Sequence, residues 1–194
     1  GRAEELCKYM DKVVEDLKRR TADISSRPTV YVGAVSYKGR QPFTASQALF
    51  PPLLLLNTPS IADEAGWKGG FVSMDFEYIL QKQPDIVFID LNNLDNVVAD
   101  FAKDSSKYCI LKAFKEGRVY SILPFNYYHT NIATALADAY FMGRVLYPER
   151  FSDIVPEEKA DEIYRAFLGR ELYSMFVEGF GRGFDNLGEL FRCG

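Results

Sequence analysis

Asp85-Ile-Val-Phe-Ile-Asp90 is the segment that most narrows what this chain can fold into. Four apolar residues in a row, closed by an acid at each end, describe a strand covered on both faces, as in a parallel sheet packed between helices. Two more segments read as strands: Pro28-Thr-Val-Tyr-Val-Gly33, ended by glycine, and Arg118-Val-Tyr-Ser-Ile122. Helical patterns separate them. Phe76, Ile79, Leu80 and Gln83 share one face ahead of Pro84. Amphipathic helices are predicted over 94–102 and 107–116, with Gly117 at a helix stop. An alanine-rich helix covers 130–146, and another opens on Pro156 and closes at Gly169. A polar loop is expected over 36–46, a helical stretch over 47–56 restarted by Pro51 and Pro52, and a glycine-rich loop over 179–183. Strands alternating with helices predict an α/β fold: a three-layer sandwich with a mainly parallel central sheet and helices on both faces.

The first residues add a helix. Leu6, Met10, Val13, Val14 and Leu17 recur at three- and four-residue steps, and Glu4/Lys8, Glu15/Arg19 and Asp16/Arg20 place opposite charges four apart. No capping residue precedes it and no strand lies before it, which leads to the expectation that the chain is the later part of a longer protein. The 194 residues are 47% hydrophobic, enough for one well-buried domain. A net charge of -4 disfavours a general nucleic-acid role, since phosphate backbones call for a basic surface. No apolar run reaches the roughly 18 residues of a membrane span. Three widely spaced cysteines, Cys7, Cys109 and Cys193, read as buried or incidental thiols. The single histidine excludes a multi-histidine metal site.

In open α/β sheets, ligands bind beyond the carboxyl ends of the strands. Three loops leave the strands at that edge: Tyr37-Lys38-Gly39-Arg40-Gln41, Asp90-Leu91-Asn92-Asn93, and Pro124-Phe125-Asn126-Tyr127-Tyr128-His129. The ligand candidates are Tyr37, Lys38, Arg40, Gln41, Asn92, Asn126, Tyr127, Tyr128 and His129. Cations, amides and aromatic rings together suit a bulky, partly aromatic or anionic ligand. Tyr127 and Tyr128 read either as iron-binding phenolates or as groove lining, and His129 as a ligand, a pH sensor or a hydrogen-bonded structural residue. No nucleophile elbow or P-loop is present, and Gly179-Phe-Gly-Arg-Gly183 follows a helix rather than a strand, so it is not a phosphate turn.

The order of segments carries a resemblance. A helix ending Lys18-Arg-Arg-Thr-Ala-Asp23 leads to Arg27-Pro-Thr-Val-Tyr-Val-Gly33. Then come Val72-Ser-Met-Asp-Phe-Glu77, Pro84-Asp-Ile-Val-Phe-Ile-Asp90, Ala113-Phe-Lys-Glu-Gly-Arg-Val-Tyr120, Leu123-Pro-Phe-Asn126, and Tyr147-Pro148 before Phe151. This order resembles the substrate-binding proteins of ABC importers for iron-siderophore complexes and vitamin B12, the class III or helical-backbone group. The resemblance implies that residues 1–22 end a helix joining two lobes and that 23–194 form the C-terminal α/β lobe, the N-terminal lobe lying outside this chain. It implies a non-enzymatic, cofactor-free role outside the cytoplasm, periplasmic or lipoprotein-anchored. A metal chelate, most commonly a ferric siderophore, would be held between the lobes and delivered to a membrane permease. Vitamin B12-type corrinoids and a molybdate-type oxyanion are the competing cargoes. Glu77 matches the carboxylate that pairs with permease arginines, and an acid is favoured in that first helical turn. The readings of other classes are an α/β enzyme fragment using His129 and a signalling receptor lobe.

Overall fold

The computed structural model describes residues 1–126 and 131–194. A four-stranded sheet runs in the order β1-β4-β5-β6, with β1 (Val30–Gly33), β4 (Ile86–Asp90) and β5 (Val119–Ile122) parallel and β6 (Asp185–Asn186) antiparallel at the edge. β4 is central, pairing Val87 with Tyr31 and with Val119, and all five of its residues are buried, as its apolar run requires. Phe88 meets Phe141 of helix α7 (Ile132–Leu146), so strand alternation turns Val87 and Ile89 to the other layer.

Helix α1 (Arg2–Thr21) lies along the molecule and buries Val13, Leu17 and Thr21. Full burial of each aliphatic side chain contributes about 2 kcal/mol. Its far end is fixed by Arg20, which donates to both oxygens of Asp153, to Asp16 and to the Arg150 carbonyl, with its guanidinium over the Phe151 ring. Its near end leans on α8 (Pro156–Leu168): the Tyr9 hydroxyl donates to Glu162 and its ring packs edge-on against Phe167. Of the charge pairs expected four apart, Asp16/Arg20 forms, and Arg19 turns to Asp16 instead of Glu15.

Several sequence expectations are corrected. Residues 45–48 are not loop and helix start but strand β2 (Ala45–Ala48), antiparallel to β3 (Gly70–Ser73) in a second, two-stranded sheet. Helix α2 (Pro51–Leu55) begins at the prolines, where their missing amide donors are harmless. The helix predicted over 107–116 is two: α5 (Ser105–Cys109) and α6 (Lys112–Lys115), following α3 (Phe76–Lys82) and α4 (Leu94–Lys103). The Gln83 amide occupies the break, donating to the Ile110 carbonyl and accepting from the Lys112 amide. The glycine-rich segment at 179–183 is half helical, because α9 (Tyr173–Phe180) runs through Gly179 and stops at Gly181 with φ 78°. Cys109 and Cys193 are not free thiols but a disulfide across 84 residues, leaving Cys7 exposed.

Candidate functional site

The site begins with the turn after β1. Gly33 has no room for a side chain: a Cβ there would lie 2.8 Å from the Phe43 carbonyl oxygen. Ala34 follows with φ 55°, a left-handed conformation costly for a side-chain-bearing residue. Asn93 over-determines this bend. It is 2% exposed, donates from Nδ2 to the Ala34 carbonyl at 2.9 Å and accepts at Oδ1 from the Gln41 amide at 3.2 Å. Asn96 donates to the Gln41 carbonyl at 2.8 Å, and Arg40 pairs with Asp95 at 3.2 Å. Residues 34–41 are thus sewn onto the turn that follows β4.

Asp90 ends β4 and holds both sides of that junction. One of its oxygens accepts from the Ser36 amide at 2.9 Å, the other from the Asn92 amide at 2.8 Å. Burial pushes its carboxyl up to about 6, against those two amides, which favour the charged form.

Above this floor opens a cavity of about 750 Å³ lined by Tyr37, Lys38, Gly39, Arg40, Asn92, Asn93 and Asn126. Three separated loops converge at the carboxyl edge of the sheet, and five of the sequence candidates meet there. Asn126 is set by its bond to Gln47 Oε1 at 2.7 Å. Tyr37 stacks on Phe71 of β3 with ring centres 4.1 Å apart, and Lys38 extends over the same tyrosine. Gln41 stands apart: its side-chain amide folds back onto the Lys38 carbonyl at 2.5 Å and shapes the loop. Tyr127, Tyr128 and His129 lie outside the described residues. Glu77 is exposed in the first turn of α3, where the Asp75 side chain caps its amide at 3.0 Å, beside a shallow groove formed with Tyr78, Leu80 and Gln81.

Sequence reasoning assigned no ligand role to Asn93, Phe71 or Gln47. Asn93 carries a local signal, since an amide after a strand-ending acid is a turn and cap pattern. Phe71 and Gln47 reach the site only through pairing of β2 with β3, which nothing in either short segment announces.

A cation-bearing, amide-rich hollow beside a half-exposed aromatic pair can hold an anionic ligand with a sizeable organic part. No cluster of three or more histidine, cysteine or acidic side chains fit to hold a metal occurs among the described residues.

No protein-family model matches the sequence, and no curated protein matches it. Solved structures do. The TroA-like periplasmic binding protein FepB from Veillonella parvula superposes with a TM-score of 0.64 at 21% identity, over 87% of this chain and 53% of that protein. The molybdate periplasmic binding protein MolA from Haemophilus influenzae, bound to molybdate, gives 0.67 at 17% identity, over 87% and 51%. CeuE from Helicobacter pylori with Ni(II) bound gives 0.62 at 15% identity, over 92% and 56%. The chain spans about half the length of the solved proteins it matches. Identity at this level speaks for architecture alone: the fold of this chain is shared with about half of each of these periplasmic binding proteins.

Proposed function

We propose that this chain is the C-terminal lobe of a two-lobed solute-binding protein of an ABC importer, with residues 1–22 ending the helix that joins the lobes. The protein captures a metal chelate, a ferric siderophore being the leading candidate, and hands it to a membrane permease through Glu77. The observation that carries this reading is the convergence of Tyr37, Lys38, Arg40, Asn92 and Asn126 on one open hollow, in a fold that covers half of each matched binding protein. Ligand closure would come from higher affinity for the closed arrangement of the lobes. The Cys109–Cys193 disulfide supports a location outside the reducing cytoplasm.

The hollow's size and its Tyr37–Phe71 stack favour a chelate over a bare oxyanion, which would fill little of about 750 Å³. MolA bound to molybdate keeps the oxyanion as the competing cargo. Titrating the full two-lobed protein with ferric siderophores, heme, cobinamide and molybdate tests this. Micromolar or tighter binding of a ferric siderophore is the expected result. Binding of molybdate alone overturns the chelate assignment, and binding of none overturns the uptake reading.

A further inference from the structure

Lys38 and Arg40 are the charged residues that line the cavity, and their surroundings differ. Lys38 extends its ammonium over the Tyr37 ring, 5.7 Å from the centroid, with no carboxylate partner among the described residues. Arg40 donates from Nη1 to Asp95 Oδ2 at 3.2 Å. Asp95 itself is not among the lining residues. It stands in the first turn of α4, between Asn93 and Asn96, both of which bond the backbone of the first loop. Its other oxygen accepts from the Asn96 amide at 2.9 Å, which fixes the carboxylate where Arg40 meets it. Both partners are largely exposed, at 65% and 69%, so the pair contributes little to folding. Asp90, beneath the floor, gives its oxygens to backbone amides and pairs with neither cation. Residues 127–130, outside the described residues, are two tyrosines, a histidine and a threonine, and so bring no carboxyl group to the cavity.

We propose that Asp95 is a specificity-determining residue that grades ligands by charge: it offsets Arg40 and so lowers the preference of this site for highly anionic chelates over weakly charged ones. The inference rests on the binding role proposed above. A contact through one guanidinium nitrogen leaves the remaining N–H donors of Arg40 free for ligand oxygens. The adjoining carboxylate meanwhile repels a ligand in proportion to its negative charge. Without it, Arg40 and Lys38 would attract every anion more strongly, and the most highly charged one most. Asparagine at this position would offer Arg40 an oxygen just as well. What aspartate adds is the charge, and since both side chains meet solvent, its effect is screened by salt.

The test titrates the two-lobed protein and its Asp95→Asn and Asp95→Glu variants with two probes, a trianionic ferric tris-catecholate and an uncharged ferric tris-hydroxamate. The measured quantity is the ratio of the two affinities. Asp95→Asn keeps an oxygen for Arg40 and for the Asn96 amide but loses the charge. It is expected to shift the ratio towards the tris-catecholate about fivefold at about 0.02 M salt and by less than about twofold at about 0.5 M. Asp95→Glu keeps the charge and is expected to leave the ratio within about twofold of wild type. A purely structural role would give the reverse, sensitivity to glutamate and tolerance of asparagine, and that result overturns the proposal. An Asp95→Asn ratio equal to wild type at low salt overturns it as well, while the binding of the probes leaves the chelate reading standing. Binding of neither probe overturns the chelate reading and this proposal with it.

Discussion

Asn93 satisfies two backbone groups with one side chain. Its amide satisfies a carbonyl on one side of the first loop and an amide on the other, in a position closed to water. Truncation to alanine leaves both groups unpaired, and the left-handed Ala34 loses the contact that holds it. We expect Asn93→Ala to cost about 2 kcal/mol in denaturant unfolding and to weaken ligand binding through the displaced Lys38 and Arg40. Asn93→Asp, which sets a buried carboxylate against the Ala34 carbonyl, should cost at least as much as the alanine; equal stability of all three proteins would refute this role. Asp90 gives a second prediction at this scale. Its folded-state carboxyl titrates near 6 and an unfolded aspartate near 3.9. Between those values the folded chain holds a proton that the unfolded chain has lost, so stability falls as pH rises through the window, by up to about 3 kcal/mol. Asp138 adds in the same direction. Asp16 and Asp153 act oppositely. Burial opposes ionisation of Asp16, but bonds from Tyr140, Arg20 and Arg19 hold it low, and Arg20 holds Asp153 at about 2; their contributions vanish as acid protonates them. The urea midpoint should therefore peak near about pH 4 to 5, and Asp90→Asn should flatten the descent on its alkaline side. A midpoint climbing steadily from acid to neutral pH would contradict this assignment.

Elements written in local pattern could be read in advance, and elements written in distant contacts could not. β1, β4 and β5 announce themselves through apolar runs, and α8 through Pro156 and Gly169. β2 is Ala-Ser-Gln-Ala and β3 Gly-Phe-Val-Ser; neither alternates, and each becomes a strand only against the other, with Ser46 bonded to the Val32 carbonyl at 2.6 Å. The break between α5 and α6 depends on Gln83, more than twenty residues earlier in the chain. That the candidate residues would gather at one edge was legible because parallel-sheet topology brings the loops after the strands together there, while Phe71 was hidden with the strand that carries it. The disulfide was illegible for the same reason: separation along the chain says nothing of proximity. It secures the last segment, whose Phe191 packs between Phe101 and Phe114 while β6 closes the sheet edge. Since the bridge closes a long loop, Cys109→Ser is expected to lower unfolding free energy by about 3 kcal/mol and to expose the β5 amides to exchange before those of β1. Uniform loss of protection across the sheet would show that the terminal segment is not a separate unit.

At the scale of the whole molecule, α1 is held at both ends by the rest of the described chain, through Tyr9 and Arg2 on α8 and through Arg20 on the segment after α7. A helix fixed in this way moves with the rest of the described chain, so in the proposed two-lobed protein a closing motion is expected to pivot outside residues 2–21. That rigidity separates the two proposed contacts. The cavity faces outward from the carboxyl edge of the sheet, while Glu77 stands on α3 with, among the described residues, no hydrogen bond or ion pair to its carboxylate. Reversing its charge therefore disturbs little inside the lobe: the cost is an unfavourable charge at a short helix's first turn, about 0.5 kcal/mol. Glu77→Lys in the two-lobed protein is expected to leave chelate affinity within about twofold of wild type, since that small energy is the only term changed. Transport in cells carrying the cognate permease should drop at least about tenfold, the loss of an interfacial charge pair meeting a like charge instead. Unchanged transport would remove Glu77 from the proposed docking surface, and a parallel loss of affinity would mean that α3 belongs to the proposed ligand site rather than to a separate face.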